Sequence, residues 1–348
     1  MNATSLFLFA TIASLTLHFF LLIPFINYLY ARKMMRVNQE TKDPFGKITP
    51  IFDKFNSHKV GTPVGGGILI IILTSIIYLG YLLWFLVKRS DFSANYPSLI
   101  AEILIILFTF VSFGMLGLYD DLVKIFLWKR HQFFGLRMRQ KFIIQVVLAL
   151  IVSLLLNLVL KIDIIHIPFI GTYHISYWYI IFSSFVIIAF SNAMNITDGL
   201  DGLSSGILLI ALTAFWVVAR SIIDVPTSLF IAIWLGGLIA FLYFNVYPAR
   251  IMLGDTGALS FGATFAVIGL IIGKTFALPV IGGVFFIEIF MSGTQLIYKK
   301  IFKKKLYPVA PFHLFLQHKG WQEPKVVFRL WLLAFTFAVI GLAIAFLK

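Results

Sequence analysis

The residues whose types and spacing point to chemistry sit in Asn192-Ala193-Met194-Asn195-Ile196-Thr197-Asp198-Gly199-Leu200-Asp201-Gly202-Leu203, between two long apolar runs. If the stretch starts a helix, Asn195, Asp198 and Asp201 are three apart and fall along one broad face. No basic residue lies nearby in sequence to neutralise the two acids. Carboxylates at a membrane boundary without a local partner need solvent or a cation. Their hard oxygens suit Mg2+, which keeps several waters and also binds phosphate. A solvated loop with an Asp N-cap and glycine turns would use the same residue types.

Other stretches carry the same chemistry. Asp120 and Asp121 stand side by side at the end of an apolar run, with Lys124 one turn on. Neighbouring carboxylates attract a divalent cation, or hold one member as a base. Lys124 can pair with either acid or with a phosphate. Gly254-Asp255-Thr256-Gly257 leads into another run, as a phosphate-receiving helix N-terminus or as a plain N-cap turn. His313, in a basic loop with Lys303, Lys304 and Lys305, suits phosphate, although a lone loop histidine is ordinarily solvated. Glu288 is an acid inside an apolar run, a functional candidate or a hydrogen-bonded structural one. His18 and Glu102 read as boundary residues.

The elements that must position these residues are transmembrane helices. Of 348 residues, 60% are hydrophobic and 12% charged, against roughly a quarter charged in a soluble domain. The expected class is all-α: one integral membrane domain over 1–348 with about ten spans, near 5–30, 66–87, 98–118, 142–160, 176–194, 203–219, 228–244, 257–273, 277–298 and 327–347. Long unalternating apolar runs exclude a membrane barrel. The N-terminal segment lacks a basic region before its apolar run, so it reads as a retained first helix. There is no cysteine, hence no disulfide or thiolate site. The formal charge of +14 reports orientation and anionic lipid rather than nucleic acid.

Basic residues concentrate in alternate loops. Arg32, Lys33, Arg36, Lys42, Lys47, Lys54 and Lys59 follow the first span; Lys124, Lys129, Arg130, Arg137, Arg139 and Lys141 follow the third. Lys299, Lys300, Lys303, Lys304, Lys305, Lys319 and Lys325 follow the ninth. The opposite loops hold only Lys88, Arg89, Lys161, Arg220 and Lys274. Short basic loops stay cytoplasmic, so both termini are expected outside and the acids on the cytoplasmic face. Asp120, Asp121, Asp198, Asp201 and Asp255 then share that face, in a chain with 14 acids, and are expected to form one site.

These motifs, in this order, resemble the polyprenyl-phosphate N-acetylhexosamine-1-phosphate transferases. The resemblance covers nearly the whole chain. It rests on HKxGTPxxGG at His58–Gly67, the Asp120–Lys124 motif, NxTDGLDGL at Asn195–Leu203, FNxYPA…GDTG at Phe244–Gly257, and KGWxEP at Lys319–Pro324. KGWxEP resembles the MurNAc-pentapeptide branch rather than the GlcNAc and GalNAc branches. The resemblance implies transfer of phospho-MurNAc-pentapeptide from UDP-MurNAc-pentapeptide to undecaprenyl phosphate, with Mg2+, giving lipid I and UMP at the bacterial cytoplasmic membrane. It implies catalytic roles for Asp120, Asp121, Asp198 and Asp255, with Mg2+ held by Asp255, Asp120 and Asp121. It implies substrate contacts from Lys59, Thr62, Lys124, Asn195, Asp201, Asn245 and His313. Its partners are the two substrates and the bilayer, with a homodimer an open expectation.

The chain departs from that pattern in its last loop. Where the family carries three consecutive histidines, this chain reads His313-Leu314-Phe315. A transferase using another UDP-N-acetylhexosamine is the rival enzyme, and a transporter or flippase the rival without chemistry. Transporters usually show repeats and midplane sites, and neither is visible here.

Overall fold

The computed structural model describes residues 3–35, 53, 55–88, 96–126 and 138–347. Of the loop cations named above, Arg36, Lys42, Lys47, Lys54, Arg89, Lys129, Arg130 and Arg137 lie outside the described residues. The elements are α1 (Ala3–Ala31), α2 (Gly66–Lys88), α3 (Leu99–Phe126) and α4 (Met138–Leu158), then the strands β1 (Ile164–Ile167) and β2 (Gly171–His174). They continue with α5 (Trp178–Thr197), α6 (Leu203–Ser221), α7 (Val225–Asn245), α8 (Gly254–Ile271), α9 (Ala277–Ile281), α10 (Gly283–Phe302), α11 (Phe312–His318) and α12 (Glu323–Phe346). The strands form one antiparallel hairpin, Ile164 opposite His174 and Ile167 opposite Gly171. The chain is an all-α polytopic membrane protein, with nine helices among the described residues long and apolar enough to cross a membrane.

The span expected over 277–298 is divided. Gly282 alone separates α9 from α10; a methyl on it would strike Phe190, and one on Gly283, the first residue of α10, the Phe337 ring. The α10 helix carries Glu288, Gln295, Lys299 and Lys300, and is not among the nine.

Helix α8 is the axis of the bundle. It is the least apolar of the nine and the most completely buried. Those properties agree: a helix walled in by protein needs small residues for close approach more than lipophilic ones. Its Gly254, Gly257, Gly262 and Gly269 meet neighbouring backbone or side chains. Around it, Phe110 of α3, Phe230 and Trp234 of α7 and Phe261 of α8 pack with centroids 5.1–5.7 Å apart. Edge-to-face pairs of this kind add to the burial of large apolar surfaces.

At the end of α3 away from its aspartate pair, Glu102 stands in the first turn of the span and is wholly buried. Thr227 donates from its hydroxyl to Glu102 Oε1 (2.8 Å) and from its backbone N–H to Asp224 Oδ1 (3.0 Å). Glu102 Oε2 and Asp224 Oδ2 are buried and have no hydrogen-bond partner among the described residues. One shared proton satisfies both. Burial pushes the Asp224 carboxyl up, so the folded protein holds this proton more tightly than the unfolded chain. Stability is therefore expected to fall as pH rises above about 4 and through the raised value. Glu102→Gln supplies an amide donor that cannot ionise. Melting curves across pH in detergent should lose this dependence in the variant and keep it in the parent.

Candidate active site

Four sequence-distant segments meet at the other end of the bundle because glycines let their backbones touch. A methyl on Gly67 would come 2.3 Å from Gly257 N, and one on Gly117 2.1 Å from the Asp255 carbonyl oxygen. The strand-like segment before α2 pairs with the segment before α8: Met252 N donates to Pro63 O (2.8 Å), and Gly66 N to Met252 O (2.9 Å). Thr62 lies half-buried in the turn before it, its N–H bonded to Lys59 O (3.1 Å).

Asp120, Asp121 and Lys124 do not follow α3; the helix runs through all three, which fixes their directions. Asp121 turns to the start of α8 and caps it from outside. Asp121 Oδ1 accepts from Asp255 N (3.0 Å), and Oδ2 accepts from Thr256 N (2.9 Å) and Thr256 Oγ1 (2.7 Å). These are the free donors that every helix N-terminus presents. Gly254, at φ +81°, leaves room for the cap, since a methyl there would come 2.7 Å from Asp121 Oδ2.

Asp120 and Asp255 face each other across two ammonium groups. Lys124 Nζ is 2.9 Å from Asp120 Oδ2 and 2.8 Å from Asp255 Oδ2. Lys141 Nζ, from the first turn of α4, is 2.7 Å and 2.5 Å from the same atoms. Two anionic oxygens thus share two cations in a box drawn from three helices. Lys141 is the residue that sequence reasoning missed, filed there among the loop cations. A signal was present: a cation in the first turn opposes the helix dipole, so it needs an acid from elsewhere.

The stretch around Asp198 does not form one helical face. Helix α5 ends at Thr197, Asp198 is its C-cap, and Gly202 (φ +74°) precedes α6. Asn195, in the last turn of α5, is half-buried, and its side chain makes no hydrogen bond among the described residues. The turn separates the acids. Asp198 Oδ1 accepts from Ser204 Oγ (2.6 Å), while Asp201 Oδ2 accepts from Ala249 N (2.9 Å) and its Oδ1 lies 3.1 Å from Lys59 Nζ. Burial pushes Asp198 up to about 6, helped by repulsion from Asp255 and Asp121 and opposed by the Ser204 hydroxyl and Lys59. Asp198 therefore senses both clusters.

Lys59 is held by three acceptors: Asp201, Glu323 Oε1 at 2.8 Å and the Gly199 carbonyl at 2.9 Å. Glu323 is the acid of KGWxEP, and also accepts from Asp201 N (2.8 Å). Asn245 is similarly engaged, accepting from Gly202 N (3.2 Å) and Ser205 Oγ (2.8 Å) and donating to Ile251 O (2.9 Å). Both side chains bind motif to motif in this structure. His313 is buried, its Nδ1 3.1 Å from Glu288 Oε2 and its ring against Gly199.

Among the described residues no three Asp, Glu, His or Cys side chains stand grouped to hold a metal. The donors nevertheless fit Mg2+ in kind. Asp120 and Asp255 offer hard oxygens to one shared cation position, for which the Lys141 ammonium is a stand-in.

Comparison with known proteins decides the family. Residues 103–273 match the model for glycosyl transferase family 4. The phospho-N-acetylmuramoyl-pentapeptide-transferase of Rickettsia prowazekii (strain Madrid E) is 33% identical over 305 residues, 82% of this chain and 80% of that one. The chain belongs to the phospho-N-acetylmuramoyl-pentapeptide-transferase family. The relative from Oceanobacillus iheyensis is 34% identical over 293 residues, 82% of this chain and 84% of that protein. The one from Rickettsia canadensis is 31% identical over 331 residues, covering 89% and 86%. The box and the Asp198–Asp201 turn bring carboxylates and ammonium groups together at one end of the bundle.

Proposed function

We propose that this protein transfers phospho-MurNAc-pentapeptide from UDP-MurNAc-pentapeptide to undecaprenyl phosphate, forming lipid I and UMP in peptidoglycan synthesis. The observation that carries this reading is the family membership over more than four-fifths of the chain. The gathering of the five motifs at one end of an apolar bundle supports it. A water-borne nucleotide and a lipid acceptor can meet only at such an end. Loop charge supports that end facing the cytoplasm, with both termini opposite, in a bacterial inner membrane.

In the reaction an oxygen of the lipid phosphate attacks the phosphorus bonded to the sugar. A new P–O bond forms, the anhydride bond breaks, and UMP leaves with the electron pair. Asp120 and Asp255 would hold Mg2+, which supplies charge neutralisation to the diphosphate. Lys124 and Lys141, released from those carboxylates, neutralise phosphate oxygens. Asp121 keeps Asp255 in place through α8. Asp198 acts as the carboxylate that orients the lipid phosphate and accepts its proton. UMP release is therefore expected to decline as pH falls below about 6, the value to which burial raises Asp198. The residual activity of Asp198→Asn should lack that decline.

Purified protein incubated with undecaprenyl phosphate and each of UDP-MurNAc-pentapeptide, UDP-GlcNAc and UDP-GalNAc tests the reading. UMP release with the first alone, lost with EDTA and restored by Mg2+, is expected. Release with another sugar would move the chain to the rival branch. Substrate movement without UMP would make it a transporter.

A further inference from the structure

We infer that the β1–β2 hairpin is a membrane anchor, with its tip residues Phe169 and Ile170 seated in the lipid interface at the end of the bundle opposite the active site. This role is separate from the transferase reading and does not depend on it. Helix α4 leaves the box with Lys141 in its first turn, and α5 returns to the site at Thr197, so the hairpin joins their far ends. Its base is fixed to the bundle. Ile175 N donates to Asp163 O (2.8 Å), and Asn157 Nδ2 donates to Ile162 O (3.1 Å) and Ser176 O (3.3 Å). The tip is therefore held in one direction.

That tip is built against its local preferences. Ile170 N donates to Ile167 O (3.1 Å), closing a turn with Pro168 second and Phe169 third. Phe169 stands at φ +67°, where such turns ordinarily carry glycine or asparagine. A bulky aromatic residue is strained there. The ring gains little burial in return: Phe169 is 81% exposed and Ile170 67%. A strained turn that presents two apolar side chains outward needs an apolar medium to receive them.

Lipid is the medium that fits. No Lys, Arg, Asp or Glu stands between Asp163 and Asp198, so hairpin and span form one stretch without formal charge. A hairpin meant for water would leave its edges and its apolar tip with no charge to keep other chains away. Just past β2, Tyr177 and Trp178 are exposed where α5 begins, as aromatic residues are at membrane boundaries. Trp178, Ile181 and Phe185 then continue down one exposed face of the span. The tip shares the chemistry of the helix it leads into. Being uncharged, its contact draws on acyl chains and not on the charge of a headgroup.

The chain has no cysteine, so a single one can carry a probe. Full-length Ile170→Cys, labelled with the fluorescent dye NBD, is reconstituted in phosphatidylcholine nanodiscs. A nitroxide high on the lipid acyl chain should quench the dye, with labelled Phe185→Cys on the span face as the standard for lipid contact. Iodide in the water should quench it little. Added phosphatidylglycerol and high salt should leave both results unchanged. Phe169→Asp in the same background puts a charge at the tip, and should lose most of the nitroxide quenching and admit iodide. Quenching by iodide without quenching by nitroxide in Ile170→Cys would place the tip in water and overturn the inference. Shielding from both would mean that a second copy covers the tip, and would overturn it as well. So would nitroxide quenching that requires phosphatidylglycerol, since charge would then carry the contact. If Phe169→Asp does not fold, the Ile170→Cys measurement decides alone. UMP release is not read, so the transferase reading stands or falls separately.

Discussion

Asp255→Asn is expected to lower UMP release about 1,000-fold, the scale on which removal of one electrostatic group from a phosphoryl- or acyl-transfer site acts. Its carboxylate is half of the only position in the box that two cations already share, with Lys124 at 2.8 Å and Lys141 at 2.5 Å. Asparagine keeps the size and the backbone N–H that Asp121 accepts, so α8 stays capped. The loss should therefore fall on the rate, with a melting temperature close to the parent's. Asp121→Asn should invert that pattern in part. An amide offers one acceptor atom where Asp121 receives three donors, so stability falls and activity follows it. Measuring rate and melting temperature on both variants separates them. An Asp255→Asn enzyme within about tenfold of the parent would remove Asp255 from the chemistry.

Gly117→Ala should cost about 3 kcal/mol or more and take activity with it. The added methyl would lie 2.1 Å from the Asp255 carbonyl oxygen, 2.4 Å from its carbon and 2.6 Å from Thr256 Cα. All three are backbone atoms and cannot swing aside, so α3 and α8 must separate. That movement carries Asp120 and Asp121 away from Asp255 together. Gly80→Ala is the control: nothing lies within 4 Å of its added methyl, and alanine favours a helix over glycine by about 1 kcal/mol. Thermal melts should move in opposite directions. Equal melts for Gly117→Ala and parent would mean that the two helices have slack between them.

The helices were legible in the sequence because a membrane span needs length and apolarity, and both can be read residue by residue. The division at Gly282 was not, since the Phe190 and Phe265 rings packed against it arrive from other helices. The acids were legible as a group because few others exist in the chain. Their separate tasks were not. Asp120 and Asp121 are adjacent and identical in type, yet α3 turns one toward Lys141 and the other toward the α8 backbone. Lys59 read as a loop cation and, by resemblance, as a substrate contact; its three acceptors come from the 199–201 turn and from Glu323, far along the chain. Glu288 read as anomalous, and only the return of the last loop supplies its partners.

The small, weakly lipophilic surface of α8 bears on how the protein is made. Entering lipid alone, such a helix gains little from the hydrocarbon, and its serine and two threonines find no partners there. Its residence in the bilayer depends on α3 and α5 already waiting to receive it, and both are synthesised earlier. The catalytic end of the molecule is thus completed only when this late helix slots into place, which makes biogenesis and activity answer to the same glycine contacts.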